Sequence, residues 1–260
     1  MMISNRKENL IAHTNREGVE RKMKIKALAH RGYPVKYPEN TLSAYHAAYD
    51  LGFTHLELDV HLSKDGIPVL MHDITVDRMT NGKGRVKDFT YEELRDLRVG
   101  EKETIPTLEE ALRFAKGKMM VSIELKQHGD LYNGLEEAVL NVILKTGMLD
   151  HVYVNSFDHY AIINMRKLSD DMELGIIQHG ASPAVIPFMK EIKATYLSLR
   201  VEYLTDYYVQ LCEEAGITIV VWPVDTEWQF KKMQRYPSVL GTTNKLEFFK
   251  QMYEQKYAKN

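Results

Sequence analysis

Ile25-Lys26-Ala27-Leu28-Ala29-His30-Arg31-Gly32 is a short apolar run that stops abruptly at charged and flexible residues. Its length suits a strand, and a strand that opens an alternating strand–helix pattern belongs to a parallel sheet. The residues after Gly32 bear on which parallel architecture this is. A doubly wound sheet built for nucleotides carries a Gly-rich phosphate loop after its first strand. No such fingerprint is present there.

Working outward, further strand signals fall at 54–60, 67–72, 119–125, 151–156, 173–177, 194–199 and 217–223, with a ninth short run at 238–242. Helical patterns fall at 40–51, 107–116, 132–146, 158–168, 182–191, 204–215 and 226–235. Eight or nine strands separated by helices favour a closed (β/α)8 TIM barrel of the α/β class, with the open sheet as the alternative. The 260 residues suit a single barrel, which typically needs about 250.

Two places break the alternation. Val60 to Gly66 leaves no room for a helix, yet its seven residues span at most ~25 Å when extended, enough to return down the barrel and begin a parallel strand. Residues 74–105 form an insertion after the third strand, with a turn at Thr80-Asn81-Gly82-Lys83-Gly84 and a capping-box start at Thr90-Tyr91-Glu92-Glu93. Insertions at that end of a barrel often cover the active site. Residues 1–22 read as a mobile extension, or as the product of a start site upstream of Met23, and 23–260 as one barrel domain.

Composition narrows the function. With 44% hydrophobic and 27% charged residues the chain is expected to fold as a globule. A net charge of −2 lacks the basic excess of a nucleic-acid partner. The single Cys212 excludes an internal disulfide and reads as a buried thiol on a helix. No run of ~18 apolar residues predicts a membrane span, and the N-terminus lacks the apolar core of a secretory signal. The simplest expectation is a cytoplasmic monomer or homodimer. The segment Phe248–Tyr257 reads as an amphipathic helix that packs on the barrel or on a partner.

Barrel chemistry sits at the C-terminal ends of the strands. There the chain places His30-Arg31-Gly32, then Glu57 and Asp59, then His72-Asp73, then Glu124-Leu125-Lys126. In Leu56-Glu57-Leu58-Asp59-Val60 the period of two puts both carboxylates on one face. Facing inward they need a cation, for which Glu124 offers a third oxygen ligand. Alone, the same pattern also describes an edge strand with its acids in water. His61 extends the alternation, either as another ligand or as a turn residue beyond the site. Two histidines from different strands can flank one phosphorus as acid and base. Arg31 offers a planar fork for phosphate oxygens and Lys126 a point charge.

The ordered set Ala29-His30-Arg31-Gly32, Pro38-Glu39-Asn40-Thr41, Glu57-Leu58-Asp59-Val60, His72-Asp73 and Ile123-Glu124-Leu125-Lys126 resembles the glycerophosphodiester phosphodiesterase family of bacterial, cytoplasmic type. Gly82–Val86, Ile105–Glu110, Ser156-Phe157-Asp158 and Val221-Trp222 add secondary matches, so the likeness runs from about residue 26 to 245. It implies a TIM barrel, a divalent cation (Mg²⁺ or Ca²⁺) on Glu57, Asp59 and Glu124, and acid–base roles for His30 and His72. It also implies phosphate contacts from Arg31 and Lys126, a site rim shaped by Glu39 and Asn40, and Trp222 packing against the substrate, although Trp222 also reads as core. The expected reaction converts a small glycerophosphodiester to sn-glycerol 3-phosphate and an alcohol, either through a cyclic phosphate or by direct attack of water. The alternatives are a lysophospholipase D on the same fold and a non-catalytic barrel for phosphoryl ligands. Lys245 and Pro223 depart from the family's usual residues, and they bear on the alcohol rather than on the chemistry.

Overall fold

The structure is a computed structural model and describes residues 23–257. The expectation for 1–22 lies outside the described residues. Among the described residues there are nine strands: β1 (Ile25–His30), β2 (Phe53–Leu62), β3 (Pro68–Leu70), β4 (Met120–Leu125), β5 (Val152–Ser156), β6 (Leu174–Ile177), β7 (Tyr196–Arg200), β8 (Thr218–Trp222) and β9 (Leu240–Thr243). All except β3 pair in parallel, and β9 returns to β1, which closes an eight-stranded barrel. The barrel reading is borne out, and the short ninth run is its last stave.

The third strand corrects an expectation. β3 is antiparallel to β2, with Val60 opposite Leu70 and Leu62 opposite Pro68. Seven residues were long enough to begin a parallel strand, but β2 itself uses up the first three of them. Its pairing with β4 ends at Val60–Leu125, while the strand runs on to Leu62. The chain then reverses at once. Ser63 N donates to the Ile67 carbonyl (3.0 Å), Ser63 Oγ accepts from Ile67 N (2.9 Å), and Gly66 takes φ +80°. The result is a hairpin that overshoots the barrel mouth and comes back to it, where Met71 N donates to the Asp59 carbonyl at 3.2 Å.

The insertion 74–105 folds around that hairpin. Val69 and Met71 pack with Val76, Val86, Leu94, Val99 and Ile105 in a small core separate from the main one. Helix α2 (Tyr91–Asp96) starts at the capping box of Thr90 and Glu93. Inside the barrel, Leu28, Tyr153, Val220 and Leu240 fill the lumen, and Tyr153 stacks on Tyr196 at 3.9 Å. Gly175 on β6 lets the neighbouring strands sit close beside that stack, because a Cβ there would lie 3.1 Å from the Cβ atoms of Asn155 and Tyr196.

The outer layer holds α1 (Leu42–Asp50), α3 (Leu108–Ala115), α4 (Leu135–Thr146), α5 (His159–Leu168), α6 (Val185–Glu191), α7 (Asp206–Glu214), α8 (Glu227–Met233) and α9 (Leu246–Tyr257). α9 packs on the barrel itself through buried Phe249, whose ring lies 5.0 Å from Phe230 and 6.0 Å from Phe53. Cys212 is fully buried on α7. Among the described residues no helix is long and apolar enough to cross a membrane.

Candidate active site

Register brings the acids together. His30 on β1 pairs with Glu57 on β2, and Asp59 on β2 pairs with Glu124 on β4. One carboxylate oxygen from each of Glu57, Asp59 and Glu124 lies within 4.8 Å of the others, and all three residues are buried. Burial, with Asp59 and Glu124 adding repulsion, holds the Glu57 carboxyl well above the usual carboxylate range. Burial also raises Glu124, against the pull of Lys126. Asp59 goes the other way: burial would raise it, but Lys126 and Arg31 outweigh that and hold it low. Glu57 Oε1 has no hydrogen-bond partner among the described residues. Three buried hard oxygen donors, one of them unpartnered, fit a divalent cation.

The cationic side chains are already engaged. Lys126 Nζ lies 2.8 Å from Asp59 Oδ1 and 2.6 Å from Glu124 Oε1. Burial would lower the Lys126 ammonium pKa, but those two carboxylates raise it further. Arg31 Nε lies 3.1 Å from Asp59 Oδ2, and its Nη1 donates to Glu39 Oε1 at 3.1 Å. Arg31 takes φ +56° and donates its backbone N–H to Glu57 Oε2 at 3.0 Å. Gly32 comes next at φ +84°, where a Cβ would lie 2.7 Å from the Ala44 backbone at the start of α1. The glycine in this motif is therefore demanded by close packing of loop on helix.

Each histidine has a fixed partner. His30 Nδ1 lies 2.7 Å from Asn244 Oδ1, so Nδ1 donates and Nε2 keeps its lone pair. Asn244 is itself held by Asp225, through its backbone N (2.8 Å) and Nδ2 (2.7 Å). Burial, with the Arg31 charge beside it, pushes the His30 imidazole down to about 4. His72 Nδ1 lies 2.8 Å from Asp73 Oδ1. Burial lowers His72 as well, with Asp59 opposing. Arg78 binds Asp73 at 2.6 Å and Glu39 at 2.6 Å, and its hydrogen bond brings Asp73 to about 2. A polar belt thus runs from His72 through Asp73, Arg78, Glu39 and Arg31 to Asp59.

Two placements differ from the sequence reading. Asn40 is not on the rim: it is 2% exposed and lies beside Asp59, to which its Nδ2 donates at 2.8 Å. Its φ of +56° turns the side chain into the barrel, and Tyr45 Oη holds its carbonyl oxygen at 3.1 Å. His61 is neither a member of the acidic trio nor on a turn. Because β2 overshoots the barrel, His61 is still strand and is 1% exposed. Glu39 does lie at the partly exposed edge, between Arg31 and Arg78.

A cavity of about 280 Å³ joins these groups, with His30, Arg31, His72 and Lys126 on one side and Phe157, His179 and Trp222 on the other. The Trp222 ring centroid lies 5.9 Å from Phe157 and 5.7 Å from His179. Trp222 Nε1 has no partner among the described residues, and Arg200 stands 5.7 Å from the ring. Asn244, Asp225, Arg78 and His179 were not singled out from sequence as site residues. The signal for His179 was its place just past the apolar run of the sixth strand, and Asn244 similarly comes directly after the last strand.

The sequence profile of the Glycerophosphoryl diester phosphodiesterase family matches residues 30–243. A glycerophosphodiester phosphodiesterase of Caldanaerobacter subterraneus subsp. tengcongensis is 36% identical over 221 residues, covering 81% of this chain and 90% of the relative. One from Bacillus altitudinis is 35% identical, covering 80% of this chain and 89% of the relative. Among solved structures, an Oleispira antarctica phosphodiesterase in complex with the product sn-glycerol-3-phosphate superposes with a TM-score of 0.76 at 25% identity, covering 91% of this chain and 98% of that one.

Proposed function

The chain belongs to the glycerophosphoryl diester phosphodiesterase family, and from that premise we propose that it hydrolyses glycerophosphodiesters to sn-glycerol 3-phosphate and an alcohol with the help of a divalent cation. The observation that carries the reading is one cavity lined by Glu57 and Glu124 of the acidic trio and by two partnered histidines, with Asp59 buried beside it.

Glu57, Asp59 and Glu124 would hold Mg²⁺ or Ca²⁺, which when bound supplies a Lewis acid that offsets the charge growing on the phosphoryl oxygens. The protein's own groups do the rest. Arg31 and Lys126 face the cavity and attract the phosphate. His30, its Nδ1–H tied to Asn244, offers the Nε2 lone pair to the attacking oxygen and takes its proton, whether that oxygen belongs to a water or to the neighbouring glycerol hydroxyl, whose cyclic phosphate a water then opens. His72, whose protonated form Asp73 favours, gives a proton to the departing alkoxide as its P–O bond breaks. Trp222 and Phe157 form the apolar wall for the rest of the substrate.

The test is release of sn-glycerol 3-phosphate from glycerophosphocholine, glycerophosphoethanolamine, glycerophosphoinositol and glycerophosphoglycerol, with EDTA and then Mg²⁺ or Ca²⁺ added back. Release that stops in EDTA and returns with metal is expected. No release from any of the four at saturating metal overturns the reading.

A further inference from the structure

His72 stands apart from the other proposed catalytic groups because no barrel stave carries it. It lies just beyond β3, the antiparallel arm of the hairpin, two residues past the last β2–β3 pair at Val60–Leu70 and one past the Met71 N–Asp59 carbonyl bond. Beyond Met71 no ladder hydrogen bond among the described residues reaches it, so the His72 backbone depends on other contacts for its place.

His61 supplies such a contact. Its Nε2 lies 3.3 Å from the His72 carbonyl oxygen, and its Nδ1 lies 2.7 Å from Tyr132 Oη. A carbonyl oxygen only accepts, so Nε2 carries the hydrogen and donates it. Nδ1 then holds a lone pair, and Tyr132 O–H donates to it. Tyr132 is itself clamped at both backbone groups by one side chain. Gln127 Nε2 donates to the Tyr132 carbonyl (2.8 Å), and Gln127 Oε1 accepts from Tyr132 N (3.0 Å). Gln127 comes directly after Lys126 at the end of β4, the stave that also bears Glu124.

The connection therefore runs from the segment just past β4 to His72 through Gln127, Tyr132 and His61, which are 5%, 6% and 1% exposed. None of the three lines the cavity. Simple filling of this space would need no polar atoms, and burying an imidazole costs free energy unless both nitrogens are satisfied. Here both are, each by a partner that fixes direction.

We propose that His61 is a positioning residue that pins the His72 backbone to the β4 end of the site through Tyr132. This rests on the acid–base role proposed for His72. The tether works on placement of the reacting group, so its loss lowers turnover and leaves substrate and cation binding nearly intact. A misplacement of about 1 Å in such a group can cost on the order of 100-fold in rate.

The experiment compares His61→Phe, His61→Gln, Tyr132→Phe and His72→Ala in the full chain at saturating Mg²⁺ with glycerophosphoethanolamine. His61→Phe is expected to lower kcat roughly 10–100-fold, with KM and the metal activation constant within about 3-fold of wild type. His61→Gln, which can still donate and accept, recovers most of that loss. Tyr132→Phe, which removes one oxygen, shows a smaller drop of the same kind and keeps the test informative should His61→Phe fail to fold. In a His72→Ala background His61→Phe adds little further loss. Wild-type kcat in both His61→Phe and Tyr132→Phe overturns the inference while His72→Ala stays inactive. A parallel fall of kcat, metal affinity and thermal midpoint, with no rescue by Gln, overturns it too by making the role structural. Full activity in His72→Ala instead overturns the reading beneath it.

Discussion

Asn40 and Asp59 clasp each other twice: Asn40 Nδ2 donates to Asp59 Oδ2 at 2.8 Å, and Asn40 Oδ1 accepts from Asp59 N at 3.3 Å. One amide side chain thus fixes both the carboxylate and the backbone of a proposed cation ligand. Asn40 sits at φ +56°, which glycine adopts without strain. Asn40→Gly should therefore keep the loop and remove the clasp. Cation affinity is expected to weaken roughly 10–100-fold, read by calorimetric titration of Mg²⁺ or Ca²⁺. Unchanged affinity would show that Asp59 needs no such support.

His30→Ala and His72→Ala should each cut kcat by about 100-fold or more while far-UV circular dichroism is retained. Asn244→Ala, which frees His30 Nδ1, is expected to fall between either variant and wild type, because the imidazole loses its fixed tautomer and orientation. A near wild-type rate in either histidine variant removes that residue from the acid–base pair.

Gly32→Ala should damage the fold rather than the chemistry. The new Cβ would lie 2.7 Å from Ala44 backbone at a φ of +84°. Overpacking and left-handed strain together are expected to cost roughly 2–4 kcal/mol, read from the urea midpoint. A midpoint equal to wild type would mean that α1 moves aside freely.

His55 gives the barrel an acid limb away from the mouth. Burial, with Lys26 nearby, brings its imidazole down to about 4 from 6.5. The unfolded chain binds that proton first, so stability present above pH 6.5 is lost as pH falls toward 4. The upper bound is roughly 3 kcal/mol. His30 titrates over the same range, so His55→Gln should lessen, not abolish, the slope of stability against pH between 6.5 and 4, measured by urea titration at several pH values. An unchanged slope would place the acid sensitivity elsewhere.

Much of the site could be read in the chain because strand alternation puts Glu57 and Asp59 on one face, and the barrel's strand-end rule, with Glu124 at the end of its own strand, turns that face inward. The direction of β3 could not, since period-two patterning is the same for parallel and antiparallel strands. The seven residues at Val60–Gly66 suited both, and only the overshoot of β2 beyond its β4 pairing decides. The same overshoot buried His61, whose inward parity was legible but whose partner Tyr132, 71 residues away, was not. The family resemblance implies a rim position for Asn40 as for Glu39. The left-handed backbone of Asn40, invisible in the sequence, turns it inward.

The hairpin also divides responsibility for the two histidines. His30 is part of a barrel stave, whereas His72 hangs from an appendage with a hydrophobic core of its own. Eight staves close without that appendage, so the architecture tolerates its loosening and the reaction does not. Gentle heating should disarm the protein while most of its secondary structure survives. Length changes within 74–105 would likewise tune catalysis by shifting one half of the acid–base pair against a stationary partner.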